Sequence, residues 1–310
     1  LHTGQVIIDL VMALDTLPCP GGDALASSAS FHAGGGFNVM AAAQRNGLKT
    51  LYLGRHGQGQ LGDIARLAMR DEGIEFIQPI DPHKDTGLCV ALTEANAERT
   101  FISCIGAEGT LSNEDLANVQ VAPDDYVYVS GYSLLHADKA HSLLNWLNGL
   151  PRSVHVTFDP GPLVHSIDPA LISALLPHLH LWTSNRSEAL GFTSTHSVAD
   201  ALPGLQARLP GACLIVLRDG PQGCWISDAH GSRLIGGFKV QAIDSNGAGD
   251  AHSGVMIAAL SAGHAAPEAA RRANAAAALA VTRRGPATSP NADEVDRLIQ
   301  EASVQTHKHR

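Results

Sequence analysis

Short, nearly continuous apolar runs recur along the chain, separated by amphipathic stretches. Val6-Ile7-Ile8, Leu51-Tyr52-Leu53, Tyr126-Val127-Tyr128-Val129, Val154-His155-Val156-Thr157-Phe158 and Leu214-Ile215-Val216-Leu217 are rich in β-branched residues and bounded by turn residues. Runs of this kind suit strands buried on both faces of a parallel sheet. Between them lie helical patterns such as residues 61–72, closed by Gly73, and 136–147, closed by Gly149. Glycine after the last periodic residue is a common helix stop. The alternation predicts an α/β fold, a mostly parallel central sheet with helices on both faces.

Two stretches break the rhythm. Residues 10–33 are rich in Gly and Pro, and residues 87–105 read as strand, turn at Glu94-Ala95-Asn96-Ala97, strand. Both flank Gly34-Gly35-Gly36, so they are expected to form a small β-sheet lid, from about 10–33 and 87–105, over a cleft. The chain then reads as one domain, 1–310, with the lid as a subdomain. Its end reads as helices over 266–282 and 292–305, with 306–310 a frayed tail.

Composition narrows the function. With 310 residues, 45% of them hydrophobic, 31 Gly and 16 Pro, the chain can bury a large core and make many turns. A formal charge of -9 without a basic run argues against nucleic acid as a partner. Cys19, Cys89, Cys104, Cys213 and Cys224 show no paired spacing and suit a reducing compartment. Asp9 interrupts the first apolar stretch and no 18 apolar residues run together, so neither a signal peptide nor a membrane partner is expected. The cytoplasm is the expected location. The sixteen His residues are dispersed, without HExxH or a His/Cys cluster, and suggest no zinc site.

The most informative segment is Asp244-Ser245-Asn246-Gly247-Ala248-Gly249-Asp250, between a strand-like 238–243 and an apolar helical pattern over 251–262. On such a strand-to-helix turn, the unpaired amides of Gly247, Ala248 and Gly249 can cradle an anion. Phosphoryl transfer needs positioning, charge stabilisation and an acceptor for the nucleophile's proton. Asp250, in the first helical turn, can supply the last. A helix cap would explain Asp250 alone, but not two acids bracketing Ser245 and three small residues. A Walker A sequence ending in GK[ST] is missing, which disfavours a P-loop fold.

Here the chain resembles the ribokinase-like (PfkB) carbohydrate kinases over nearly its whole length. The loop looks like that family's C-terminal signature, which makes Asp250 the base and Gly247, Ala248 and Gly249 the anion hole. Gly34-Gly35-Gly36-Phe37-Asn38, followed by Ala41-Ala42-Ala43, is similar to the N-terminal signature that contacts the sugar. Asn185-Arg186-Ser187-Glu188, after Leu179-His180-Leu181-Trp182-Thr183, resembles the Asn-x-x-Glu element near Mg²⁺ and phosphates, with Glu188 acting through metal-bound water. Seen alone, it would read as a helix start with Glu188 favouring the dipole.

The resemblance implies ATP and Mg²⁺ as cofactors and a small sugar as substrate. It implies acceptor contacts at Asp9, taken as the end of the first strand, and at Gly34, Gly35 and Asn38. Gly220 and Gly223 fall where relatives pass beside the nucleotide, although relatives often carry Thr or Lys where Arg218 stands. Asn274 falls at the adenine pocket, the alternative being a solvent-facing helix residue. Asp244, Ser245, Gly285 and Ser289 correspond to a K⁺ site. Arg99 and Arg186 read as solvated surface arginines rather than anion contacts. Edges of a small lid sheet invite a partner, so a homodimer through the lid is expected. A nucleoside kinase of the same fold and a non-catalytic sugar or nucleotide sensor are the rival readings. A dinucleotide-binding dehydrogenase fails because Gly34-Gly35-Gly36-Phe37-Asn38 is not GxGxxG.

Overall fold

The computed structural model describes residues 1–95 and 98–308. Strands Tyr126–Ser130, His155–Asp159, Leu179–Asn185 and Leu214–Arg218 lie side by side and parallel, and the hairpin Gly223–Asp228 and Gly231–Gly236 extends them antiparallel. On the opposite side, residues 1–3 fill a strand position. His2 N–H donates to the Leu51 carbonyl and Leu53 N–H to that of His2, both at 2.9 Å, while Thr3 N–H reaches Tyr128 at 3.0 Å. This short insert connects Leu51–Tyr52, and its parallel partner Glu75–Phe76, to the main sheet.

Strand residues alternate between two apolar layers, as the pleat requires. Val127, Val129, Phe158, Ile215 and Leu217 pack under helices Ala137–Asn148, Pro169–Leu175 and Val198–Gln206. Tyr128, Leu181 and Val216 face the other way, toward helices Gly36–Arg45, Ala248–Ser261 and Ala266–Ala280. Helices thus cover both faces, as the apolar runs predict. The alanines at 269, 270 and 273 are fully buried and let the third of these helices lie close to the sheet. No helix among the described residues is long and apolar enough to cross a membrane.

A second, four-stranded sheet has the order Ser28–Gly35, Val6–Ala13, Leu88–Thr93, Arg99–Cys104, with only the middle pair parallel. Val6-Ile7-Ile8 therefore does not belong to the central sheet. Val6 and Ile8 are the apolar foot of the second sheet and pack on Phe37, Met40, Tyr52 and Met69. The central slot that this run seemed to fill is taken by residues 1–3, too short to show periodicity. Asp9 consequently lies in mid-strand, opposite His32 and Cys89, not at a strand end.

Three of this sheet's crossings into the main body converge on one buried pair. The Glu108 carboxylate accepts the N–H groups of Gly87 and Gly106, each at 2.8 Å. Lys139 Nζ donates to the carbonyls of Glu108 at 2.9 Å and Gly4 at 3.1 Å. Burial pushes the Lys139 ammonium down to about 7, against the opposing pull of Glu108.

Other boundaries move. Residues 238–243 form no strand among the described residues: past the edge strand Gly231–Gly236 the chain turns to the helices, where Phe238 packs beside Val255 and Ala42, while Ile243 is exposed and its N–H donates to the Val281 carbonyl at 2.7 Å. The last helix runs Ala292–Lys308, past the expected end at 305. Of the expected turn at 94–97, Asn96 and Ala97 lie outside the described residues, as do the last two residues of the expected tail and the side chain of Arg99.

Helices Gly36–Arg45 and Ala248–Ser261 touch through Gly254, where a Cβ would collide with the Val39 carbonyl and sit 2.7 Å from the Ala42 methyl. Gly254→Val is expected to cost about 1–3 kcal/mol through overpacking. Urea denaturation reads this directly, and an unchanged midpoint would contradict so tight a crossing.

Candidate active site

The parallel strands end along one edge of the main sheet, and the strand order reverses at residues 1–3, from which the chain rises directly into the second sheet. Such a reversal opens a crevice beyond the carboxyl ends of the strands. Asp159, Asn185 and Arg218 are each the last residue of a strand and so stand at this edge.

Helix Ala248–Ser261 begins three residues before the sequence pattern suggests, with Gly247 as its cap at φ 72°. A side chain at 247 would collide with the Pro286 carbonyl, so this turn needs glycine on two counts. Asp250 then sits in the first turn, beside amides that have no intrahelical acceptor. Buried Asn38, on helix Gly36–Arg45, donates from Nδ2 to Asp250 Oδ2 at 3.0 Å. Its Oδ1 is buried and has no partner among the described residues. Across the crevice stands Asp9, packed so closely on Gly34 that a Cβ there would strike its carboxylate. Gly35 caps the helix that carries Asn38.

Burial pushes the Asp250 carboxyl up to about 6; the charges of Asp159 and Asp9 add to this, while Asn38 and Arg218 oppose it. Asp9 is likewise pushed up to about 6 by burial. A base that titrates near neutrality suits proton abstraction from an alcohol.

On the other side of the helix tip, Asn185 and Glu188 form a reciprocal capping box. Asn185 Oδ1 accepts from the Glu188 N–H at 2.8 Å, and Glu188 Oε2 from the Asn185 N–H at 2.7 Å. The helix-start reading of this block therefore holds, and it fixes the Glu188 carboxylate toward the crevice side, 3.6 Å from Arg218 Nη2. Burial raises the Glu188 carboxyl, Asp159 adds to the rise, and Arg218 opposes it. Gly220 lies in the turn after strand Leu214–Arg218 and Gly223 starts the hairpin.

Asn274 is buried, not solvent-facing: Nδ2 donates to the Ile235 and Gly236 carbonyls at 2.9 and 3.2 Å, and Oδ1 accepts from His252 Nε2 at 3.1 Å. It ties the hairpin to two helices. Asp244 accepts from the N–H groups of Asn246 at 2.9 Å and Gly285 at 3.0 Å, drawing two loops together, and the Ser245 carbonyl faces the Ala248 amide at 3.4 Å. The Ser289 carbonyl accepts from Arg45 Nη1 at 2.8 Å. Arg186 is exposed and meets Asp219 at 3.5 Å.

Sequence reasoning left out Asp159 and gave no role to Arg218, which bonds it at 3.0 Å. A signal was available. Both follow predicted parallel strands directly, and a charged residue at the carboxyl end of such a strand stands at the ligand edge.

A family model described as pfkB family carbohydrate kinase matches residues 1–293. The chain is 31% identical over 296 residues to the uncharacterized sugar kinase YegV of Escherichia coli, covering 94% of this chain and 91% of that protein. Ribokinase of Haemophilus influenzae is 27% identical over 309 residues, covering 96% and 97%. The crystal structure of a putative ribokinase II from E. coli, in complex with ATP and Mg²⁺, superposes with a TM-score of 0.80 at 22% identity over 97% of this chain and 98% of that one.

The folded protein holds the Asp250 proton more tightly than an unfolded chain would, so stability falls as pH rises from 3.8 to about 6. Asp250→Asn removes this cost and keeps an acceptor for Asn38. It is expected to stabilise the protein by about 1–2 kcal/mol above pH ~7 and by nothing below pH ~4. Urea denaturation at both pH values checks this, and a variant less stable than wild type at pH ~7 would refute it.

Proposed function

The chain belongs to the pfkB family of carbohydrate kinases, and from that premise we propose that it transfers the γ-phosphate of ATP to a hydroxyl, a primary one in this reading, of a small carbohydrate. The observation that carries the proposal is the buried Asp250 carboxylate at a helix tip, steered by Asn38 at 3.0 Å. It joins a base to the amides of a helix tip within one helical turn.

In this mechanism Asp9 accepts hydrogen bonds from acceptor hydroxyls, and the open Oδ1 of Asn38 accepts one more. Gly34 and Gly35 leave room for the backbone to approach. Asp250 takes the proton of the attacking hydroxyl onto its carboxylate while Asn38 Nδ2, donating to Asp250 Oδ2, holds that carboxylate in place. The amides of Gly247, Ala248 and Gly249 stabilise charge on the phosphoryl oxygens. ATP would bring the phosphoryl group, whose bond to the β-phosphate oxygen breaks as ADP leaves, and Mg²⁺ would supply positive charge beside it. Three carboxylates, Asp159, Glu188 and Asp250, around the single Arg218 give the site the negative surplus that a divalent cation would meet, and Glu188 would hold its water.

Asn185, Gly220 and Gly223 border the nucleotide side, with Asn274 supporting its hairpin. Asp244, Ser245, Gly285 and Ser289 would hold K⁺, and the bond from the Gly285 N–H to the Asp244 carboxylate brings two of the four together. The second sheet acts as a lid that excludes water when acceptor is bound. Its outer face carries Phe31 and Ile102, 53% and 61% exposed, which supports a homodimer through that face. Free thiols at all five cysteines support the cytoplasm as the working compartment.

A coupled ADP-release screen over pentoses, hexoses, sugar acids and nucleosides is expected to find acceptor-dependent turnover with a sugar. Preference for nucleosides would move the acceptor class, and nucleotide binding without turnover on any acceptor would favour a sensor. Asp250→Asn is expected to lose on the order of 10²–10⁴ in kcat. In the wild type, kcat/KM should climb as pH rises through about 6, because the base works deprotonated. Turnover in Asp250→Asn equal to wild type would remove Asp250 from this role. Sedimentation is expected to give a dimer that Ile102→Asp splits; a wild-type monomer would end the dimer reading.

A further inference from the structure

Arg218 closes strand Leu214–Arg218, and only 12% of its side chain is exposed. One corner of its guanidinium is fully committed: Nη1 donates to Asp159 Oδ2 at 3.0 Å, Thr183 Oγ1 at 2.8 Å and Ser253 Oγ at 2.7 Å. The opposite edge, Nε and Nη2, makes no hydrogen bond among the described residues, and its nearest carboxylate oxygen is Glu188 Oε2 at 3.6 Å.

That open edge lies under the anion loop. A Cβ built on Gly249 would sit 3.6 Å from Arg218 Cζ, 3.7 Å from Nε and 3.8 Å from Nη2. Glycine at 249 therefore leaves the fork uncovered, and any side chain there would lie across it. Two carboxylates and two hydroxyls prevent the guanidinium from swinging away, so its position is set before a ligand arrives.

We propose that Arg218 is a phosphate-binding catalytic group, whose free Nε–Nη2 edge donates to phosphoryl oxygens held at the tip of helix Ala248–Ser261. This rests on the kinase reading of the site and adds to it a resident cation. Guanidinium suits the task because its planar fork matches two phosphate oxygens, whereas an ammonium is a point charge. Asp159 and Glu188 have a double effect here, balancing the buried charge and aiming it. The rival account makes Arg218 only a counter-ion for those two acids.

Calorimetric titration with ATP, ADP and AMP in the presence of Mg²⁺ separates the accounts without relying on turnover. Arg218→Lys keeps the charge beside Asp159 and Glu188 but loses the fork; Arg218→Met loses both. For Arg218→Met the expected result is a loss of ATP affinity of about tenfold or more, the worth of a charge-assisted hydrogen bond, with AMP affinity within about twofold of wild type. Arg218→Lys should fall between, with the same selectivity for ATP over AMP, and it decides alone if Arg218→Met does not fold. ATP and AMP affinities that fall together, or do not fall, overturn the proposal while leaving the kinase reading intact. A wild type that binds ATP no more tightly than AMP and phosphorylates nothing overturns both.

Discussion

The site depends on how closely two helices from distant parts of the chain can cross. Asn38 and Asp250 are 212 residues apart in sequence, and they meet only because Gly254 lets helix Gly36–Arg45 press its backbone against helix Ala248–Ser261. A carboxylate buried at such a crossing loses water, and a single amide donor does not restore it. The raised titration of Asp250 is the result, so its readiness to take a proton follows from packing before any ligand is considered.

The same logic governs the electrostatics around it. Asp159, Glu188 and Asp250 stand near one guanidinium, and burial alone would lower Arg218 while Asp159 and Glu188 more than offset this. Asp159 and Glu188 face Arg218 directly, whereas Asp9 belongs to the second sheet and lacks a cationic partner among the described residues. Charge is thus concentrated in the crevice, with Asp9 left uncompensated. Folding tolerates this cost because the two large apolar layers flanking the main sheet carry stability elsewhere.

Much of this was legible in the sequence, and the reasons are local. The strands at 126–130, 155–159, 179–185 and 214–218 declared themselves as apolar runs, and Gly34-Gly35-Gly36-Phe37-Asn38, Asn185-Arg186-Ser187-Glu188 and the loop 244–250 as backbone chemistry spelled by adjacent residues. What stayed hidden depends on neighbours remote in sequence. Three residues such as Leu1-His2-Thr3 become a strand only because Leu51 and Tyr128 flank them. Residues 238–243 alternate like a strand, but Phe238 packs on helices and the Ile243 N–H bonds the Val281 carbonyl instead of a neighbouring strand. Asp159 and Arg218 carry no spacing motif, since their meaning arises when separate strand ends converge. Asn274 looks like any polar helix residue until the hairpin folds over it.

The clasp of Glu108 and Lys139 bears on how the second sheet can move. Gly4 precedes the strand bearing Asp9, Gly87 precedes its parallel neighbour, and Gly106 follows the edge strand, and all three crossings are tied to the same two side chains. Strands bound in this way share one anchor: a displacement at any of the three feet would load the other two, and the placement of Asp9 is set in part by residues that never approach the crevice.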